Sequence, residues 1–158
     1  MKEELTLSIG ILTISDTRNL LTDLSGQTIE QIVTNHQLIV TDRIVVSDDV
    51  EAIHSGLEQL WDADVLITSG GTGLAKRDVT FEAVQPLIAQ EIPGFGEFFR
   101  LLSFEEIGTH AMASRSLAFF TEDDKLVFVL PGSTHAVTLA MKQLILPEIY
   151  HLIKERRK

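Results

Sequence analysis

No cysteine occurs anywhere in the chain. That one absence excludes disulfides, cysteine-ligated zinc, iron–sulfur clusters and thiol catalysis. No apolar run approaches the roughly 18 residues that a membrane span requires. The opening stretch "MKEELTLSIG" carries early acids and no cleavable leader pattern, so a cytoplasmic location is expected. Positive charge is also scarce: 13 Lys and Arg against 23 Asp and Glu leave a net charge of −10. A nucleic-acid backbone is therefore not expected as a partner. A phosphorylated small molecule is not excluded, because backbone N–H groups bind anions without any net positive charge. The five histidines form no H-x-x-x-H pair, and no G-x-S-x-G elbow is present. Neither a histidine-paired metal nor a hydrolase serine has support.

What is present reads as one globular domain over residues 1–158, 44% hydrophobic, without repeats or linkers. Strands are predicted at 7–15, 38–46, 64–69, 116–120 and 125–130, the last two joined as a hairpin across Thr121–Asp124. Helical spacing follows Ser25 (Ile29, Ile32, Val33) and again follows Asp48 or Asp49 (Ile53, Leu57, Leu60). Thr80 opens a helix interrupted near Pro86, and Ser133 or Thr134 caps another that Pro147 is predicted to break or kink. Residues 91–109 show no clean period; Phe95, Phe98, Phe99 and Phe104 there suggest core or a contact with another chain. Strand–helix alternation predicts an α/β fold, a three-layer α/β/α arrangement with a mostly parallel sheet and an antiparallel edge hairpin.

In such sheets ligands gather outside the carboxyl ends of the strands. "SDTR", "SDD", "SGGTG" and "PGST" each follow a predicted strand. Any one of them is ordinary turn chemistry; their joint placement predicts a rim. The glycine loop fails as a P-loop, since Lys76 stands between Ala75 and Arg77, and as a dinucleotide fingerprint, since Lys76 takes the place of the third glycine. What survives is a strand end with consecutive N–H groups and the hydroxyls of Ser69 and Thr72, the makings of an anion nest. At Gly71 an added Cβ is expected to occlude the ligand; at Gly73 it is expected to force a strained positive φ.

Asp48 and Asp78 flank that loop. Carboxylates beside a phosphate repel it unless a cation lies between, and Mg²⁺ commonly takes one or two carboxylates plus substrate phosphates. The alternative for Asp48 is a helix N-cap, and for Asp78 an ion pair with Lys76 or Arg77.

Taken together, "TISDTR" (13–18), "TSGGTGLAKRDVTFEAV" (68–84), "EIPGFGEFFRLLSFEEIGT" (91–109), "SRS" (114–116) and "LPGST" (130–134) resemble the MoaB/MogA family of molybdenum-cofactor biosynthesis proteins. The likeness spans nearly the whole chain, and its wording is nearest the MoaB branch. It implies a molybdopterin-binding fold, with molybdopterin and ATP as substrates and Mg²⁺ as cofactor. Active members transfer AMP to the terminal phosphate of molybdopterin and release pyrophosphate; the alternative is a non-catalytic carrier or scaffold of the same pathway. The family's loops carry over onto Ser15, Asp16 and Thr17, onto Ser69, Gly70, Gly71, Thr72 and Gly73, and onto Pro131, Gly132 and Ser133. Its two acids match Asp78 and Asp48, with Asp49 the neighbour that competes for the second match. The resemblance also implies a homo-oligomer, a trimer or a hexamer. Two positions depart from the pattern: Phe119 stands at the usual glycine, and Ser47 at a usual proline.

Overall fold

The computed structural model describes residues 5–158; residues 1–4, which open the stretch read for a leader, lie outside the described residues. Six strands form one sheet in the order β2-β1-β3-β6-β5-β4. They are β1 (Ser8–Ile14), β2 (Ile39–Val46), β3 (Val65–Ser69), β4 (Gln90–Glu91), β5 (Leu117–Phe120) and β6 (Leu126–Leu130). β2, β1, β3 and β6 run parallel, while β5 is antiparallel to β6 and β4 to β5. The predicted hairpin is β5–β6, closed by the Thr121 N–H on the Lys125 carbonyl at 2.9 Å. It is not itself the sheet edge, because the two-residue β4 adds outside it.

Alternation along the strands builds two cores. Ile9, Ile11, Val65, Ile67, Leu126, Phe128 and Leu130 face one side. Leu12, Ile14, Leu66, Val127 and Val129 face the other. The first face is covered by α1 (Leu24–Asn35), α4 (Pro93–Ile107), α5 (Thr134–Ala140) and α6 (Leu146–Arg156); the second by α2 (Val50–Gln59) and the short α3 (Thr80–Val84). Central strands buried on both faces are the reason they read as continuous apolar runs. Phe119 is fully buried in the second core, filling the volume that a glycine would leave open.

Three local features differ from the sequence reading. Helix α1 begins at Leu24 with Asp23 as its cap, accepting from the Gly26 N–H, so Ser25 lies inside the first turn. The aperiodic stretch 91–109 is mostly helix, α4. It buries Phe95 and Phe99 yet leaves Phe98, Leu101, Phe104 and Ile107 more than half exposed. Apolar residues all round the helix erase the amphipathic signal. Pro147 breaks nothing: the helical path runs on from α5 to α6 through a wide turn, Met141–Ile145, where the Leu146 N–H reaches back five residues to the Met141 carbonyl. A proline ring crowds the carbonyl four residues earlier and supplies no N–H. The five-residue turn removes that conflict by widening the helix just ahead of it.

Candidate functional site

Register places the site. Ile14 pairs with Val46, Thr13 with Ser69, and Ser69 with Leu130. Four parallel strands therefore end at one edge, and the loops that follow them are neighbours. Because β2 lies on one side of β1 and β3 on the other, the β1/β3 boundary is the topological switch point, the usual place for a ligand crevice. The antiparallel β5 starts at this same edge, with Leu117 opposite Val129, which delivers Ser114–Ser116 to the rim.

The glycine loop turns back over the strand ends. Gly70 and Gly71 have φ of +105° and +71°, conformations that L side chains rarely adopt. A Cβ on Gly70 would strike the Ile14 carbonyl, and one on Gly71 the Thr80 hydroxyl. Gly73 is not in the positive-φ region; its Cβ would lie 2.8 Å from Asp78 Oδ2. The strained positive φ expected at Gly73 belongs instead to Gly70 and Gly71, while a Cβ at Gly73 would meet the Asp78 carboxylate. Thr80, fully buried, holds the turn through its hydroxyl on the Gly70 carbonyl (2.8 Å) and its N–H on the Gly71 carbonyl (3.2 Å). The Gly70 N–H is taken by the Leu130 carbonyl. Those of Gly71, Thr72 and Gly73 donate to no acceptor among the described residues. That is the arrangement of an anion nest. Gly132 lies over Gly70, leaving an added Cβ only 3.4 Å from the Gly70 Cα, so the Pro131–Ser133 loop closes down on the glycine loop.

The acids approach from two sides. Asp49 is the cap of α2, accepting from the Ala52 N–H at 3.0 Å; the cap reading of Asp48 is thereby excluded. Asp48 faces the loops, within 3.5 Å of where a Gly71 Cβ would stand. It exchanges backbone-to-carboxylate hydrogen bonds with Asp16, at 2.9 and 3.2 Å. Burial raises the Asp48 carboxyl above its ordinary range, and the Asp16 and Asp78 charges raise it further, against the Asp16 N–H and Arg77, which lower it. Asp78 makes no ion pair with Lys76 or Arg77; its Oδ2 accepts from the Ala75 N–H at 3.1 Å inside its own loop. Three acids thus share one neighbourhood, the arrangement that a cation would relieve. Among the described residues, no group of three or more His, Cys, Asp or Glu could hold a metal ion.

Two cavities flank the Pro131–Ser133 loop. The larger, about 450 Å³, runs from Gly70–Gly73 and Asp78 to the inner face of α4 and the turn after it. Phe99, Ser103 and Ile107 recur there at every fourth residue, joined by His110 and Ser114. The smaller, about 340 Å³, is bounded by Ser15, Arg18, Ser25, Ser69 and Ser133. Ser133 lines both spaces and caps α5, its hydroxyl accepting from the Ala136 N–H. Thr17 reaches the rim through its N–H on Ser15 Oγ (3.2 Å). The structure thus brings all three predicted loops and both acids to one edge. The sequence reading missed Thr80, Ser103 and His110; only the α4 period of four, hidden by its exposed apolar residues, pointed to Ser103.

A family model described as "Probable molybdopterin binding domain" matches residues 10–151. The chain belongs to the MoaB/MogA family. It is 49% identical to molybdenum cofactor biosynthesis protein B of Staphylococcus aureus (strain MRSA252), over 97% of this chain and 94% of that one. A crystal structure of a molybdenum cofactor biosynthesis protein B superposes with a TM-score of 0.91 at 45% identity, covering 98% of both chains. The tungsten cofactor synthesizing protein MoaB from Pyrococcus furiosus follows at 0.88 and 32%, covering 97% of this chain and 98% of that one. Membership in the MoaB/MogA family extends over the whole sheet and over every loop of the rim.

Proposed function

We propose that this protein acts in molybdenum-cofactor biosynthesis, binding molybdopterin and transferring AMP from ATP to its terminal phosphate. The observation that carries the reading is the meeting of three free backbone N–H groups with Asp78 in the lining of the 450 Å³ cavity, and with Asp48 beside Gly71. The nest at Gly71–Gly73 orients the terminal phosphate, and the cavity beyond it takes the pterin. An oxygen of that phosphate attacks the α-phosphorus of ATP, the bond to the β-phosphate breaks, and pyrophosphate leaves. A phosphate dianion is already nucleophilic near pH 7, so no general base is required. The protein supplies position and charge stabilisation, as in phosphoryl transfer.

The donor set suits Mg²⁺: two hard carboxylates, short of a full cage, leaving positions for water and substrate phosphates. Asp48 and Asp78 would hold the ion, which when bound neutralises phosphate charge. Burial first, then the charges of Asp16 and Asp78, hold the Asp48 carboxyl above its ordinary range, and a bound cation would relieve the part owed to those charges. Among the described residues no helix is long and apolar enough to cross a membrane; a cytoplasmic site of action accompanies the proposal. So does three-fold self-association, through the exposed apolar side of α4; light scattering at micromolar concentration checks it, and a monomer mass removes it.

The deciding experiment incubates pure protein with molybdopterin, Mg²⁺ and ATP and measures pyrophosphate and adenylylated product. Turnover is expected, and Asp78→Asn is expected to abolish it while molybdopterin remains bound. Binding without turnover in the parent protein identifies a carrier instead. Normal turnover in the Asn variant removes the metal role of Asp78.

A further inference from the structure

Arg115, the middle residue of "SRS", takes no part in the chemistry above, yet it is tied to the loop that carries Asp78 at both ends. Its backbone N–H donates to the Thr72 carbonyl at 2.9 Å. Its Nε donates to the Gly73 carbonyl at 3.1 Å, and its Nη2 to the Asp78 carbonyl at 2.9 Å. Nη1 pairs with Glu82 at 2.5 Å, and the guanidinium lies over the Phe81 ring, 5.5 Å from its centroid. Residues 74–77 between these anchors are exposed. Two further ties are internal to the loop, from the Ala75 N–H to Asp78 Oδ2 and from the Asp78 N–H to the Ala75 carbonyl, while Thr80 closes the turn just outside it on the Gly70 and Gly71 carbonyls.

A surface Arg–Glu pair alone would contribute little. The bonds to carbonyls carry the argument. Nε and Nη2 lie on one edge of a rigid planar group, and here that edge spans the entry and the exit of a six-residue excursion. It fixes the distance from the nest at Gly71–Gly73 to the Asp78 backbone. A lysine ammonium is a point charge on a flexible stem and cannot reproduce the fork. Glu82 and Phe81, both in α3, hold the guanidinium in turn.

We propose that Arg115 is a positioning residue: it clamps residues 72–78 so that the Asp78 carboxylate stands at a fixed offset from the nest, without touching substrate. This rests on reading Asp78 as a magnesium-binding acid.

The test compares Arg115→Lys and Arg115→Gln with the parent by three measurements: thermal melting, hydrogen exchange at the Ala75, Asp78 and Thr80 amides, and titration with Mn²⁺ in the presence of ATP. Both variants are expected to melt close to the parent. Exchange at the three loop amides should accelerate by roughly tenfold or more while β1, β3 and β6 amides keep parental protection. Apparent Mn²⁺ affinity should fall roughly tenfold to hundredfold, as when an outer support of a metal ligand is lost, with Lys retaining more than Gln. Parental exchange and parental Mn²⁺ affinity in both variants would overturn the proposal. So would a lowered melting point with faster exchange throughout the sheet, which would make Arg115 a support of the fold. If the parent itself binds no Mn²⁺ with ATP, the reading of Asp78 fails, and the loop exchange alone then decides whether the clamp exists.

Discussion

Asp23 and Asp48 lie at the same edge of the sheet, one after β1 and the other after β2, and their surroundings are opposite. Asp23 is 1% exposed and saturated: it accepts from the Thr13 hydroxyl (2.7 Å), Arg43 Nη1 (2.9 Å) and the Gly26 N–H (2.9 Å). Asp48 has the Asp16 N–H as its hydrogen-bond partner, and the charges pressing on it include two of its own sign. A carboxylate that serves the fold is surrounded by donors and a cation. Asp48, left among acids, lacks those donors, and in the proposed function its partner is a cation.

Substitutions can break this contrast, and on the scale of stability they fall in a definite order. Asp23→Ala leaves the half-buried Arg43 with Glu30 as its one remaining carboxylate and the Leu20 carbonyl beside it, and should cost about 3–5 kcal/mol, as when one member of a buried pair is removed; urea unfolding measures it. Gly71→Ala should come next, at about 1–2 kcal/mol for the positive φ together with the displaced Thr80 hydroxyl. It is therefore expected to lower the Tm of the free protein, contrary to the occlusion that the sequence suggested. Asp49→Ala removes only a helix cap and should cost about 1 kcal/mol with AMP transfer intact.

Asp48→Asn should have the smallest effect on stability, and of the opposite sign. The native Asp48 has a raised pKa, so the folded state binds its proton more tightly than the unfolded state. Stability therefore falls as pH rises from the ordinary aspartate range through the raised value. Removing the charge should raise Tm at pH 7, by less than the roughly 2–4 °C that 1 kcal/mol is worth in a chain of this size. Below the ordinary aspartate range the gain should vanish. The same variant is expected to lose AMP transfer. A lowered Tm at pH 7 would place Asp48 with Asp23 among the structural acids.

The parallel strands and the rim were legible because each rests on a local signal: apolar runs for strands buried on both faces, and turn residues at their ends. The acids were legible as carboxylates flanking the glycine loop, and the family wording matched the same two positions. Conformation inside the glycine loop was not legible. Three glycines in four residues state that backbone freedom is needed, but which of them turns through positive φ is decided by Ile14 and Thr80, distant in sequence. Nor was the choice between Asp48 and Asp49 legible, since either can cap a helix and only the Asp16 contact separates them. Helix α4 was missed because its exposed phenylalanines and leucine mask the buried face.

The wide turn at Met141–Ile145 has a consequence for how this chain tolerates changes of length. An α-helix turns about 100° per residue, so losing one residue in most of the span 134–156 would rotate everything beyond it and carry Ile149 and Ile153 off the sheet. Within the wide turn the surplus residue is already lodged. Deleting the exposed Lys142 would shorten that turn to an ordinary one and leave both flanks facing as they do now. Pro147 would then stand in an unrelieved helix, its ring against the carbonyl four residues back. The deletion is therefore compatible with a Pro147→Ala exchange and not with the proline kept, so that the length of this helix and the presence of its proline are structurally coupled.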